Sequence, residues 1–264
     1  MVDKNNPAGR LYSLLRDAST QPGKQPARVV WAKVLNADAK SDSDITRKII
    51  ALYQLSEEVQ NIIRVIEDVN TDLYLSSFPQ VEKVFFPLNL GASWSTYQQH
   101  LDKGVMTSLQ FCAELLSTKY VEEKISDEDL EQITGMINEL FQVIADSSLD
   151  SALRMTLLEE VERLRTALVM YQIKGAKGLK QSLQATIGMV VANQEELSVA
   201  AQSHSDVIDR LGQLIDKIDM FTAKALKVHK ALTKPVRFLF ELISKDSDAS
   251  EESAPVTGEL VEDE

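Results

Sequence analysis

Acidic residues at helical spacing are the first candidates for chemistry in this chain. One predicted helix carries Glu57, Glu58, Asp68 and Asp72, the last two one turn apart. Carboxylates from facing helices can bind Mg²⁺, which prefers oxygen ligands, so this set predicts a Mg-dependent all-α nucleotide hydrolase as one hypothesis. However, Glu57 and Glu58 lie off the apolar stripe of the helix, and ion-paired acids on a solvated face are the simpler interpretation.

Other reactive residue types do not form a recognisable motif. The three histidines and one cysteine are His100, His204, His229 and Cys112, and no two of them have metal-binding spacing. The segment 174–180 has two glycines and three lysines but not the spacing of a phosphate-binding loop, so it is interpreted as a basic turn. The sequence therefore predicts no catalytic residue, no metal ligand and no cofactor.

The strongest functional signal is a basic segment followed by an acidic tail. Residues 217–245 contain seven bases and two acids, a net charge of +5, and residues 246–264 contain eight acids and no base. The predicted membrane or partner contacts are Lys217, Lys224, Lys227, Lys230, Lys234, Arg237, Phe238, Leu239 and Phe240. The lysines recur at intervals of three, four or seven, which places most of them on one side of a helix.

Three interpretations of this segment compete. The lysines could form a solvated face while the apolar residues dock on the protein, or the segment 217–244 could bind an anionic membrane surface. Nucleic acid is the third partner considered, but the acidic body of the chain and the scarcity of arginine argue against it. Since the acidic tail adjoins the basic segment, we hypothesise that the tail covers these lysines until a partner displaces it.

The element that would carry these lysines is a long apolar ladder. Its positions alternate in steps of four and three: Leu179, Leu183, Thr186, Val190, Asn193, Leu197, Ala200, His204, Val207, Leu211, Leu214, Ile218, Phe221, Ala225, Val228 and Leu232. One uninterrupted helix would be roughly 80 Å long, so we expect it to protrude, bend or break. Asn193 and His204 are the polar positions where a bend is expected, and the extra apolar residues Ile208 and Ile215 favour a bundle over a two-stranded coiled coil.

The remaining pattern predicts an all-α fold, a multi-helix bundle of long antiparallel helices. Long helices are expected near residues 45–75, 95–120, 127–147, 151–173 and 178–244, with a turn at Gly175 and Gly178. The predicted organisation is short N-terminal helices that cap or brace the bundle (1–43), the helical bundle (44–245) and a disordered acidic tail (246–264).

Composition limits the function classes. Only 10 glycines and 7 prolines occur in 264 residues, which favours long helices. No apolar run is long enough to span a membrane, the first ten residues do not resemble a signal peptide, and a single cysteine fits a reducing compartment. These observations favour a non-enzymatic helical adaptor, scaffold or regulatory subunit of a cytoplasmic assembly, which binds a protein partner or a second copy of itself. A membrane-surface effector is the first alternative and the hydrolase the second.

Overall fold

The computed structural model describes residues 5–120, 122–123 and 126–227, and the fold of this part is an all-α helical bundle, as predicted. The helices are α1 (Pro7–Ser19), α2 (Ala27–Val34), α3 (Asp42–Arg64), α4 (Thr71–Leu75), α5 (Phe78–Glu82), α6 (Ser95–Gln98), α7 (Lys103–Lys119), α8 (Asp127–Asp146), α9 (Ser151–Val169), α10 (Tyr171–Ala192), α11 (Gln194–Ser203) and α12 (Ser205–Leu226). The predicted disordered tail, 246–264, lies outside the described residues.

A first hydrophobic core is built around α1. This helix packs against α7, α3, α2 and α10, and its apolar and small residues are buried on nearly every side. The helix α1 is a central element of this core because α3 and α7 cover it.

Aromatic side chains fill the end of the first core where the chain is irregular. The ring of Trp31 stacks on Phe85 with centroids 6.0 Å apart and meets the edge of Trp94 at 5.2 Å. The buried indole of Trp94 donates a hydrogen bond of 3.0 Å to the carbonyl of Ala18. This bond satisfies the one polar atom of that side chain, so the loop before α6 is fixed to the end of α1.

A second hydrophobic core contains α8, α9, α10, α11 and α12. Two of its helices begin where the sequence predicts: Ser126 caps α8 by accepting from the amide of Asp129, and Asp150 caps α9 by accepting from the amides of Ala152 and Leu153. The helix α10 connects the two cores. Its first turn contributes Ile173 to the first core, and Leu179 and Leu183 belong to the second.

The apolar ladder is not one helix. It breaks at Asn193 (φ −115°, ψ 32°) and again at His204 (φ −136°, ψ 49°), the two polar positions of the seam. The side chain of Asn193 donates a hydrogen bond of 2.8 Å to the carbonyl of Met189, which also accepts from the backbone amide of Asn193 at 3.0 Å, so both groups bind the last turn of α10. Because of these breaks the ladder folds back, so that α12 packs against α10. The expected break is confirmed at both polar positions, and up to Leu226 the helix expected over 178–244 is divided among α10, α11 and α12.

Three other helix boundaries differ from the prediction. The helix expected over 45–75 ends at Arg64, since Asp68 adopts φ +60° and Asn70 caps a separate short helix. The helix expected over 95–120 is divided because Asp102 caps α7, accepting from the amide of Val105 at 2.8 Å. The helix α12 ends at Leu226, since Lys227 adopts a left-handed φ of +51°.

Candidate partner-binding cleft

The structure places the first three residues of the predicted basic surface in the C-terminal half of one helix and at the residue that ends it. Lys217 and Lys224 are on α12, and Lys227 is the residue that ends it. The others, Lys230, Lys234, Arg237, Phe238, Leu239 and Phe240, lie outside the described residues. Only the beginning of the predicted surface can therefore be compared with the structure.

Two of these three lysines face acids of the same chain. The ammonium of Lys217 lies 3.0 Å from the carboxylate of Asp129, and that of Lys227 lies 3.6 Å from Glu123. Hydrogen bonds from Ser126 and Lys217 hold the pKa of Asp129 below its usual value. Lys224 is exposed. These ion pairs, together with a backbone bond of 2.7 Å from the amide of Glu123 to the carbonyl of Ala225, connect the C-terminal half of α12 to the first turn of α8 and to the segment before it.

A cleft of about 690 Å³ opens beside this helix end, between the two cores; we call it the junction cleft. Its walls come from α1 with Asn5 before it, α8, the segment 122–123 and the turn between α9 and α10, together with Asn36 and with Lys48 of α3. The lining residues used below are Arg10, Leu14, Asp17, Glu122, Glu123, Asp127, Leu130, Leu168, Val169 and Gly175. Its volume lies in the range of about 300–1,000 Å³ that is typical of ligand sites.

A buried ion pair forms one side of the junction cleft. The guanidinium of Arg10 lies 2.6 Å from the carboxylate of Glu122, and the two side chains are only 9% and 4% exposed. Arg10 also donates to the carbonyl of Ile173 at 3.1 Å and to that of Asn5 at 2.6 Å. One side chain thus joins the N-terminus of α1, the segment before α8 and the first turn of α10. Burial raises the pKa of Glu122, and the attraction of Arg10 offsets this only in part.

The chain bends at Gly175, where α10 lies against the guanidinium of this ion pair. Gly175 has φ +62° and ψ −162°, a conformation that is essentially restricted to glycine. A β-carbon at this position would lie 2.6 Å from the guanidinium of Arg10. The predicted turn is confirmed at Gly175, whereas Gly178 has helical geometry.

The rim of the junction cleft combines acidic and apolar side chains. Asp17 on α1 and Asp127 on α8 are exposed acids of the lining, and Glu123 lies next to the end of α12. Between them lie partly buried leucines and Val169, which is 54% exposed at the end of α9. An acidic rim with an apolar edge can bind a segment that carries both positive charge and apolar side chains.

The four acids proposed for magnesium are not brought together. Glu58 forms an ion pair of 2.6 Å with Lys177, and Asp68 lies in the loop between α3 and α4, so its one-turn spacing from Asp72 on a common helix is lost. Within residues 5–120, 122–123 and 126–227, no cluster of three or more histidine, cysteine or acidic side chains could hold a metal ion. The geometry gives the hydrolase hypothesis no support.

We expect Glu122 to make stability depend on pH in a predictable direction. Because burial raises the pKa of Glu122 in the folded protein, folding favours the protonated carboxyl. This contribution is fully present below the unfolded pKa and is lost as pH rises through the folded pKa. The free energy of unfolding of the native protein relative to Glu122→Gln should therefore fall from about pH 4 to about pH 7, measured by urea denaturation. A difference that rises with pH would contradict the assignment.

Cys112 should be unreactive in the folded protein. Its side chain is buried on α7, and burial raises the pKa of the thiol to about 12. Native protein treated with iodoacetamide should therefore show no alkylation of Cys112 by mass spectrometry until denaturant is added. Val199→Cys, at a position 68% exposed on α11, is the control that should react at once. Equal rates at the two positions would refute the prediction.

Among the described residues, no helix is long and apolar enough to cross a membrane. Comparison of the chain with protein-family models, with curated proteins and with solved structures found no match. The function must therefore be inferred from the site itself.

Proposed function

We propose that this protein is a non-enzymatic helical adaptor, scaffold or regulatory subunit of a cytoplasmic assembly, and that it binds its protein partner in the junction cleft. The observation that supports this proposal is the composition of the cleft, an acidic rim with an apolar edge set between two packed cores. The complementary partner presents a basic segment with large apolar side chains, because such residues are the usual anchors of protein interfaces.

Affinity purification from the native host, with two charge-matched variants, tests the proposal. Asp17→Lys with Asp127→Lys reverses two exposed acids of the rim. Glu195→Lys with Glu196→Lys reverses two exposed acids at the start of α11, on the second core. A protein recovered in stoichiometric amount with the native chain and the α11 variant, but reduced about tenfold with the rim variant, would support the cleft as its site.

Two other results would count against the proposal. Equal recovery of the partner by all three proteins would place the interface elsewhere. Recovery of membrane lipids without a stoichiometric protein would favour the alternative, a membrane-surface effector.

The membrane alternative is favoured by one observation, the exposed Lys224 at the start of a segment whose net charge is +5. Each lysine near an anionic surface contributes about 1 kcal/mol. If the acidic tail covers this segment, deleting residues 246–264 should increase co-sedimentation with phosphatidylserine vesicles at low salt. Vesicles of phosphatidylcholine alone are the control. Unchanged binding to the anionic vesicles would exclude regulation by the tail.

A further inference from the structure

We propose that the chain's own segment 230–243 binds in the junction cleft and competes there with the partner. This inference rests on the proposed function, because it takes the cleft as a site for basic, apolar segments. It commits to one occupant, the part of this chain that continues from the end of α12.

The first argument is where the described chain ends. The carbonyl of Ala225 accepts from the amide of Glu123 at 2.7 Å, and the ammonium of Lys227 lies 3.6 Å from the carboxylate of Glu123. Glu123 is itself part of the cleft wall. Arg237 is ten positions beyond Lys227, and ten residues can extend to about 33–36 Å. The described chain therefore ends beside the wall of the cleft, with enough chain after it to reach the cleft.

The second argument is complementarity of charge and hydrophobicity. Residues 230–243 contain three bases and one acid, a net charge of +2, and Phe238, Leu239 and Phe240 are consecutive. The cleft supplies the exposed acids Asp17 and Asp127, besides the partly buried leucines and the exposed Val169. A segment that covered Val169 would remove apolar surface from water while its bases met the acidic rim.

Competition with the partner follows from this geometry. A segment tethered at the mouth of the cleft has a high effective concentration there, so a free partner must displace it. The acidic tail, residues 246–264, attracts the same basic residues. Bases drawn to the tail are withdrawn from the cleft, so the tail favours the open form.

Disulfide formation in the full chain tests the inference. Val169→Cys combined with Phe240→Cys should form an intramolecular disulfide about tenfold faster than Val199→Cys with Phe240→Cys, because docking brings only the first pair together. Val199 is the matched control, an exposed valine on α11 in the second core. Cys112 is buried and can remain in both proteins. Non-reducing electrophoresis separates intramolecular from intermolecular products.

Each outcome decides the question. Equal rates for the two pairs would overturn the inference, and predominantly intermolecular disulfides would assign the cleft to a second copy of the chain. A second measurement is alkylation of Val169→Cys alone, which should accelerate about tenfold when Phe238, Leu239 and Phe240 are all changed to serine, with Val199→Cys unaffected. An unchanged rate would also overturn the inference. The two proposals can fail separately. If the rim variant loses its partner but the two disulfide pairs form at equal rates, only this inference fails. If the Val169 pair forms faster but the rim variant recovers the partner as well as the native chain does, only the proposed function fails.

Discussion

Replacing Gly175 with alanine should destabilise the protein by about 3–5 kcal/mol. Two costs combine at this position. The conformation of φ +62° and ψ −162° is strained for any residue with a β-carbon, and the added carbon would lie 2.6 Å from the guanidinium of Arg10. The melting temperature, measured by calorimetry, should fall on the order of 10 °C.

A second glycine provides the matched control. Gly135 is in the middle of α8, and a β-carbon there would have no neighbour within 4 Å. Gly135→Ala should therefore stabilise the protein by about 0.5–1 kcal/mol, since alanine loses less backbone entropy in a helix. Equal melting temperatures for the two variants would refute the role of the bend at Gly175.

A double variant separates strain from contact. Arg10→Ala removes the guanidinium that the new carbon would meet, but it leaves the backbone conformation unchanged. The cost of Gly175→Ala should thus be smaller in the Arg10→Ala background, and the two changes should be less than additive. Additive effects would show that the cost comes from the backbone alone.

Local patterns in the sequence predict most of the helices of this fold. Apolar residues three and four apart identify α3, α7, α8, α9 and the ladder, because a helical face that enters a core must repeat at this interval. A capping residue predicts the start of a helix where a clear apolar stripe follows it, as Ser126 does for α8. Asp102 is not recognisable as a cap, because the residues before it give no visible break in the pattern.

The breaks in the ladder show the limit of periodicity. Asn193 and His204 were recognised as polar positions in the seam, but the pattern allows either a bend or a straight helix at each. The outcome depends on tertiary packing, since folding back lets α12 bury its wide apolar face against α10 and α8. The central place of α1 in the first core is unpredictable for a related reason, because a helix of 13 residues gives no sign of how many neighbours will cover it.

The junction cleft could not be predicted from the sequence. Its ion pair joins residues 112 positions apart, and the bond from Arg10 to Ile173 joins residues 163 positions apart. No local spacing carries that information. Gly175 was a visible signal, but the neighbouring Gly178 gives the same signal and is helical. Charge alone identifies the basic segment, and only the structure shows that Lys227 lies beside Glu123 of the acidic rim.

Removing Arg10 from its ion pair should destabilise the protein about as strongly as the change at Gly175. Arg10→Met would leave the carboxylate of Glu122 buried without its partner, and breaking such a pair costs about 3–5 kcal/mol. Arg16→Met is the control, because Arg16 and Asp17 are paired on the surface at 45% and 53% exposure, where an ion pair contributes about 0–1 kcal/mol.

We expect the intact ion pair to contribute less to the free energy of unfolding than is lost when only one of its members is removed. Changing Arg10 and Glu122 together to methionine removes both buried charges, so we expect the double variant to be more stable than Arg10→Met, although the carbonyls of Asn5 and Ile173 lose a donor.

The cost of Arg10→Met should also depend on pH. Without the guanidinium, the folded pKa of Glu122 rises further, so the protonated carboxyl stabilises the variant at low pH and this contribution is lost as pH rises through the folded pKa. Urea denaturation of the native, single and double variants at about pH 4 and about pH 7 measures both effects. A penalty that is equal at the two pH values would mean that the guanidinium contributes through packing rather than through its charge, and the junction would then be held by shape alone.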